Sequence, residues 1–325
     1  MLYQDRICGK YNITEPIILE LINSKPLQRL KDIDQAGYFE PHFPGTAFSR
    51  FDHSVGVYLL LKKYNAPLEE QIAGLIHDVS HSVFSHCIDY ILDTGSEKEH
   101  NHQDNVFEKF VRKSEIPEIL KKYNLDQEYI LDDKNFPLKE KELPDSCADR
   151  IDYSLRTAVS FKEIKNGNYF IDNLLVKNKK WVFKSFESAE KYAGLFLKLN
   201  RKYYAGLPSA VMFHTVGDCL RYALARKYIS ETDLYTTDKI VFDKIKSHLK
   251  TDPKLNLLFS RMNNKIIFRN DPGNYNARVF CKSRVVDPLC WHNKMLKRVS
   301  EIKPDWNRII EKESKPKQYF IKFKR

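Results

Sequence analysis

"AGLIHDVSHSVFSH" (Ala73–His86), a few residues after "RFDHSVGVYLLLKKY" (Arg50–Tyr64), decides the fold. Its apolar positions, Ile72, Leu75, Ile76 and Val79, follow helical spacing and predict a buried helix over Pro67–Val79. The same run carries His77, Asp78, His81 and His86. Every polar group buried there needs a partner. A lone histidine in an apolar helix is more often a hydrogen-bonded core residue than a ligand. Four polar groups within His77–His86 reverse that expectation, because a metal and substrate cavity satisfies several at once. His77 and Asp78 point about 100° apart on a helix and can still meet at one ion. His81 is expected one turn on, on the same face. His53 opens a separate helix that can pack alongside. Such a His/Asp set suits Fe, Mn, Zn, Co or Ni. Each ligating ring then needs its second nitrogen held by another group.

The chain has 325 residues with 42% hydrophobic content, which excludes disorder and allows one large domain or two modest ones. No apolar run is long enough to span a bilayer. The N-terminus, "MLYQDRICGKYNITEP", places charges where a signal peptide needs an apolar stretch, so a cytoplasmic location is expected. The six cysteines are scattered without a CxxC pair and read as reduced, mostly buried thiols. The formal charge of +11 suits polyanions, or equally a lysine-rich solvated surface.

Residues 15–36 read as helix interrupted at Pro26, and Pro41–Arg50 as a loop. Helical patterns follow over His53–Lys63, Pro67–Val79, Ser85–Asp93 and His102–Lys113. The polar segment Asp126–Glu142 breaks them, and "DSCADRIDYSLRTAVSF" resumes them. Alternation around "KNKK" (Lys177–Lys180) predicts a β-hairpin near residues 168–186. A long helical stretch, Ser188–Ile229, is interrupted at Gly206–Ser209. The expected fold is mainly α: a helical bundle over residues 1–232, then a smaller α+β region over 233–325. Trp181, Trp291 and Trp306 read as packing residues. The tail "KPKQYFIKFKR" suits an edge strand with lysines facing solvent, or nucleic-acid contact.

"PLQRLKDIDQAG", "FPGTAFSRFDHSVGV", "IAGLIHDVSHSVFSH" and "DRIDYSLR" occur in an order that resembles the HD-domain metal phosphohydrolases. Within them the chain looks like the sterile-alpha-motif-and-HD-domain dNTP triphosphohydrolase and its prokaryotic relatives. The resemblance covers about residues 3–225. It implies that His53, His77, Asp78 and Asp149 hold a transition metal, with a second ion, Mg²⁺, bridging the phosphates. Arg50 would contact the phosphate next to the sugar, and His81 would line the phosphate site. His86, Asp89 and His102 would be catalytic, with His100 as substitute for His102 if the register slips. A protonated His86 or His102 would donate to the leaving oxygen, held charged by Asp89. Gln35 would contact the sugar 3′-hydroxyl, Tyr153 would pack on the sugar, Arg150 and Lys202 would sit near the phosphates, and Tyr204 would line the nucleoside pocket. Relatives form homo-oligomers, and the same is expected here.

Three positions depart from that pattern: Thr157 replaces an aspartate, Ala36 a leucine and Gln103 an acidic residue. They loosen sugar recognition and leave the metal ligands intact. The expected activity is release of triphosphate from (deoxy)nucleoside triphosphates. The alternatives are another phosphoester (a nucleoside monophosphate, an oligonucleotide or a non-nucleotide diphosphate) and a nucleic-acid-binding or regulatory protein with a vestigial site.

Overall fold

A computed structural model describes residues 1–92 and 95–324. Asp93, the end of one expected helix, and Arg325 of the tail lie outside the described residues. The chain is mainly helical. A short hairpin, β1 (Leu2–Asp5) and β2 (Gly9–Asn12), precedes α1 (Pro16–Asn23) and α2 (Lys25–Arg29), which are separated where Pro26 takes an early helical position. Then come α3 (Arg50–Lys63), α4 (Leu68–Ile76), α5 (His102–Arg112), α6 (Ile116–Lys122), α7 (Gln127–Leu131) and α8 (Ala148–Ser160).

Helix α3 is the axis of the bundle. Its start is fixed by a capping box between Ser49 and Asp52, and it is buried on nearly every side between α4 and α8. Helix α4 ends at Ile76, three residues earlier than its apolar spacing predicts, and His77 is its C-cap. His81 therefore reaches the interior from a turn, not from a helix face. Arg29 holds that turn by donating to the Val79 and His81 carbonyls at 2.8 and 2.6 Å. Residues Ser85–Tyr90 form only a 3₁₀ segment, entered through positive φ at Phe84 and Ser85.

The predicted hairpin is present as β3 (Leu174–Lys177) and β4 (Lys180–Phe183), turning at Asn178 and Lys179, both with positive φ. Residues Asn168–Asp172, read as part of it, instead form α9. Helix α10 (Phe186–Leu199) passes through a π turn and Gly206 into α11 (Leu207–Ala225). The remainder comprises α12 (Asp238–Lys246), α13 (Pro253–Met262), β5 (Phe268–Asn270), β6 (Ala277–Cys281), β7 (Leu289–His292), β8 (Met295–Arg298), α14 (Val299–Ile302), α15 (Asp305–Glu313) and β9 (Lys317–Phe323).

One sheet has the order β3-β4-β7-β8, with β4 and β7 parallel, so it joins strands from either side of residue 232. The other, β5-β9-β6, is antiparallel, and the tail strand β9 is central in it, not an edge. Trp181 and Trp306 are buried, donating to the Leu138 and Val286 carbonyls. Trp291 is partly exposed beneath Lys177. Five of the six free cysteines are buried. Among the described residues no helix is long and apolar enough to cross a membrane.

Candidate active site

His53 lies in the first turn of α3 and faces α8, where Asp149 and Asp152, three residues apart, share one side. Its Nδ1 donates to Asp152 Oδ2 at 2.7 Å, and its Nε2 is 2.9 Å from Asp149 Oδ1. His77 donates from Nδ1 to the Gly74 carbonyl at 2.7 Å. Its Nε2 is 3.2 Å from His53 Nε2 and 3.5 Å from Asp149 Oδ1. Asp78 lies beside this trio, with Oδ1 3.5 Å from His77 Nε2, while its Oδ2 is held by Arg50 at 2.7 Å. Donors about 2.1 Å from a common ion lie roughly 3–3.4 Å apart, so these spacings fit one ion. Both rings have their Nδ1 protons engaged and aim Nε2 at the same point, as metal-ligating histidines do.

Electrostatics agree with the geometry. Burial opposes the charge on Asp149, yet His53 and His77 hold it well below the usual carboxylate range. Burial likewise opposes Asp78, which Arg50, 2.7 Å away, holds well below that range. Despite burial, the Asp149 and Asp152 carboxylates push His53 up to about 9. A proton competes for this site, so metal binding should strengthen as pH rises.

Behind His53 runs a buried chain that reaches the N-terminal hairpin. Arg156 donates to Asp152 from Nε at 3.0 Å and Nη2 at 2.8 Å. The same Nη2 is 2.9 Å from Asp5 Oδ2, while Asp5 Oδ1 accepts from the Ile7 and Cys8 amides. Gly56 in α3 makes room for it: a Cβ there would overlap Arg156 Nη2 and Asp152 Oδ1. Gly56→Ala is therefore expected to weaken metal binding about 10- to 100-fold, measured by Mn²⁺ titration of metal-free protein.

The centre opens into a cavity of about 540 Å³ lined by His77, Asp78, Asp149, Arg50, Gln35 and Tyr153, among others. Among the described residues Arg50 Nη2, Gln35 Oε1 and Tyr153 Oη are buried without a hydrogen-bond partner. Three buried polar groups around one cavity are expensive unless a ligand meets them. His81, His86 and His100 line the same space, His86 stacked on His100 at 4.9 Å. Burial, then Arg50, lowers His81 to about 4 and holds His86 well below its ordinary value. Burial, then His86, does the same to His100. Asp89 sits 3.4 Å from His86 Nδ1 and also accepts from the His102 amide at 2.9 Å. It orients His86, whose charged form burial and the Arg50 guanidinium disfavour, in tension with the expectation that Asp89 keeps it charged.

Two expected residues stand elsewhere. His102, at the first position of α5, does not line the cavity; its Nε2 is 3.1 Å from the Tyr235 hydroxyl. Lys202 is half-exposed and pairs with Glu163 at 3.1 Å. Arg150 and Tyr204 do line the cavity, and Arg150 also pairs with Glu140 at 2.8 Å.

The sequence reading missed Asp152, Arg156, Lys282 and Arg284. The first two were legible as residues three and seven positions beyond Asp149 on one helix. The last two line the cavity from the stretch after β6 and carry no local signal. Burial, then Arg284, lowers Lys282 to about 8. A lysine is charged below its pKa, so anionic substrate should bind more weakly as pH rises through 8. The expected observation is a rise in KM over that range which Lys282→Arg removes.

An HD domain matches residues 50–156. That domain contains the whole candidate metal centre, and the fold is an HD-domain metal-phosphohydrolase fold. The chain's relative YdhJ of Bacillus subtilis, an uncharacterized protein, is 35% identical over 89% of this chain and 88% of its own. The deoxynucleoside triphosphate triphosphohydrolase SAMHD1 of Mus musculus is 32% identical over 38% of this chain, which spans only 22% of that protein. A phosphohydrolase from Bacteroides thetaiotaomicron shares the fold, with TM-score 0.77, 18% identity and complete coverage of both chains.

Proposed function

We propose that the chain hydrolyses nucleoside triphosphates at the phosphate next to the sugar, releasing triphosphate and a nucleoside. One observation carries this reading. The converging donors of His53, His77 and Asp149, with Asp78 beside them, lie at the wall of a cavity with unpartnered Arg50 Nη2, Gln35 Oε1 and Tyr153 Oη. A divalent transition metal held there supplies Lewis acidity toward a phosphoryl oxygen and activates water at neutral pH. Arg50 is fixed by Asp78 and by Ser85, whose Oγ accepts from Nε at 2.9 Å, so its free Nη2 is preorganised for a phosphoryl oxygen. Lys282 and Arg284 add positive charge for the outer phosphates. Gln35, Tyr153 and Thr157 face the sugar.

His86, supported by His100, is the proton donor to the leaving 5′ oxygen. Burial and Arg50 disfavour its charged form in the free protein, and the arriving phosphates raise its proton affinity by their negative charge. Such assistance is worth roughly 10²–10⁴-fold. The neutral Thr157 and small Ala36 favour tolerance of a 2′-hydroxyl, so ribonucleotides belong among the substrates.

The test is a product assay. Protein with Mn²⁺ and Mg²⁺ is incubated with separate dNTPs, NTPs and a mixture, and products are resolved by anion exchange. Nucleoside with triphosphate is expected, absent from His77→Ala/Asp78→Ala protein. Release of orthophosphate or pyrophosphate, or no turnover of any nucleotide, would contradict the proposal.

A further inference from the structure

The chain's positive charge is not evenly distributed. Residues 233–325 hold 22 Lys and Arg against 10 Asp and Glu, whereas residues 1–232 hold 32 against 33. The whole surplus therefore lies outside the HD helices, in the region that contains the β5-β9-β6 sheet.

One face of that sheet is core: Val279, Cys281, Ile321 and Phe323 are buried against α11 and α13. Register fixes what the other face shows. Arg278 opposes Phe320, Phe280 opposes Gln318, and Arg269 opposes Lys322. The outward face of an antiparallel sheet is ordinarily polar. This one carries two phenylalanines, both only partly buried, flanked by three cations. Tyr275, 47% exposed, packs edge-on against Phe320 at 5.0 Å. Lys98 lies 4.7 Å and Arg278 5.6 Å from the Phe280 ring. Among the described residues neither cation has a carboxylate partner; Arg269 does, in Asp271. Two residues past Phe280 on the chain, Lys282 reaches the cavity.

From this juxtaposition we infer that the outward face of β5-β9-β6 binds single-stranded nucleic acid. Flat rings interleaved with cations are what a flexible polyanion with unpaired bases needs: bases stack on Phe280, Phe320 and Tyr275, and phosphates meet Arg278, Lys322 and Lys98. Duplex hides its bases and would use only the charges. An anionic membrane would use the charges too, but Phe280 and Phe320 lie within a pleated sheet and form no protruding wedge.

The inference is independent of the hydrolase reading, because binding is measured in EDTA, where hydrolysis is off. The probe is a fluorescein-labelled oligothymidylate of about 20 nucleotides, followed by anisotropy in the intact protein. Binding is expected to weaken as salt rises, about tenfold with Phe320→Ala and at least about tenfold with Arg278→Glu/Lys322→Glu. Both variants should keep the wild-type melting temperature and mononucleotide hydrolysis. The inference is overturned by absence of binding, by equal affinity of the charge-reversed variant, by indifference to Phe320→Ala, or by binding to phosphatidylserine vesicles without binding to the oligonucleotide.

Discussion

Asp149→Ala protein is expected to fold, to lose tight transition-metal binding and to hydrolyse substrate at least about 10³-fold more slowly. Asp149 Oδ1 is a single carboxylate oxygen close to both bare imidazole nitrogens, 2.9 Å from His53 Nε2 and 3.5 Å from His77 Nε2. Without it the donor set loses a carboxylate and much of the negative charge that a divalent ion needs. The fold should persist, because Asp149 is one-fifth exposed at the cavity wall and His53 retains Asp152. Circular dichroism, metal analysis and hydrolysis on one preparation separate these effects. Retained metal with wild-type turnover would remove Asp149 from the site.

Arg156→Leu should have the largest effect on stability, about 3–5 kcal/mol, because it removes the guanidinium that two buried carboxylates share. Arg156 is 3% exposed, and Asp5 and Asp152 are 0% and 1% exposed at their side chains. Arg156→Lys should recover only part of the loss, since one ammonium cannot reproduce the fork to Asp152 and Asp5. The pH dependence follows in sign. Burial opposes charge on Asp152, but Arg156 and His53 lower its pKa. Its contribution is thus present at neutral pH and lost as pH falls through the folded-state value. In Arg156→Leu protein that loss should begin at higher pH. Urea melts across an acid series check both points, and an unchanged midpoint at neutral pH would show that the chain from Asp5 to His53 holds nothing in place.

The bundle was legible because the relevant signals are local. Apolar spacing found α3 and α4, Pro26 marked a break, and the alternation around Lys177–Lys180 found a hairpin. The end of α4 was not legible. Its carbonyls beyond Ile76 are taken by Arg29, some 50 residues away, which makes the turn after His77 affordable. The candidate metal centre was legible in part: His53, His77 and Asp149, which lie in short, ordered motifs, come together in space with Asp78 beside them. The distinction between His100 and His102 was not legible, because it depends on how the chain enters α5. Lys282 and Arg284 reach the cavity through contacts distant in sequence, the pairing of β6 with β9 and the Arg284 amide on Asn200 Oδ1. The outward aromatic face depends on the same pairing, since alternation alone does not say which side of β9 is covered.

The most direct test of the account is the metal content of the purified protein measured together with hydrolysis, for wild type and Asp149→Ala. The account predicts about one Fe, Mn, Zn, Co or Ni ion per chain in wild type, activity lost on chelation and restored by adding the ion back, and neither ion nor activity in the variant. Hydrolysis that survives chelation, or a variant that still holds its ion, would contradict it.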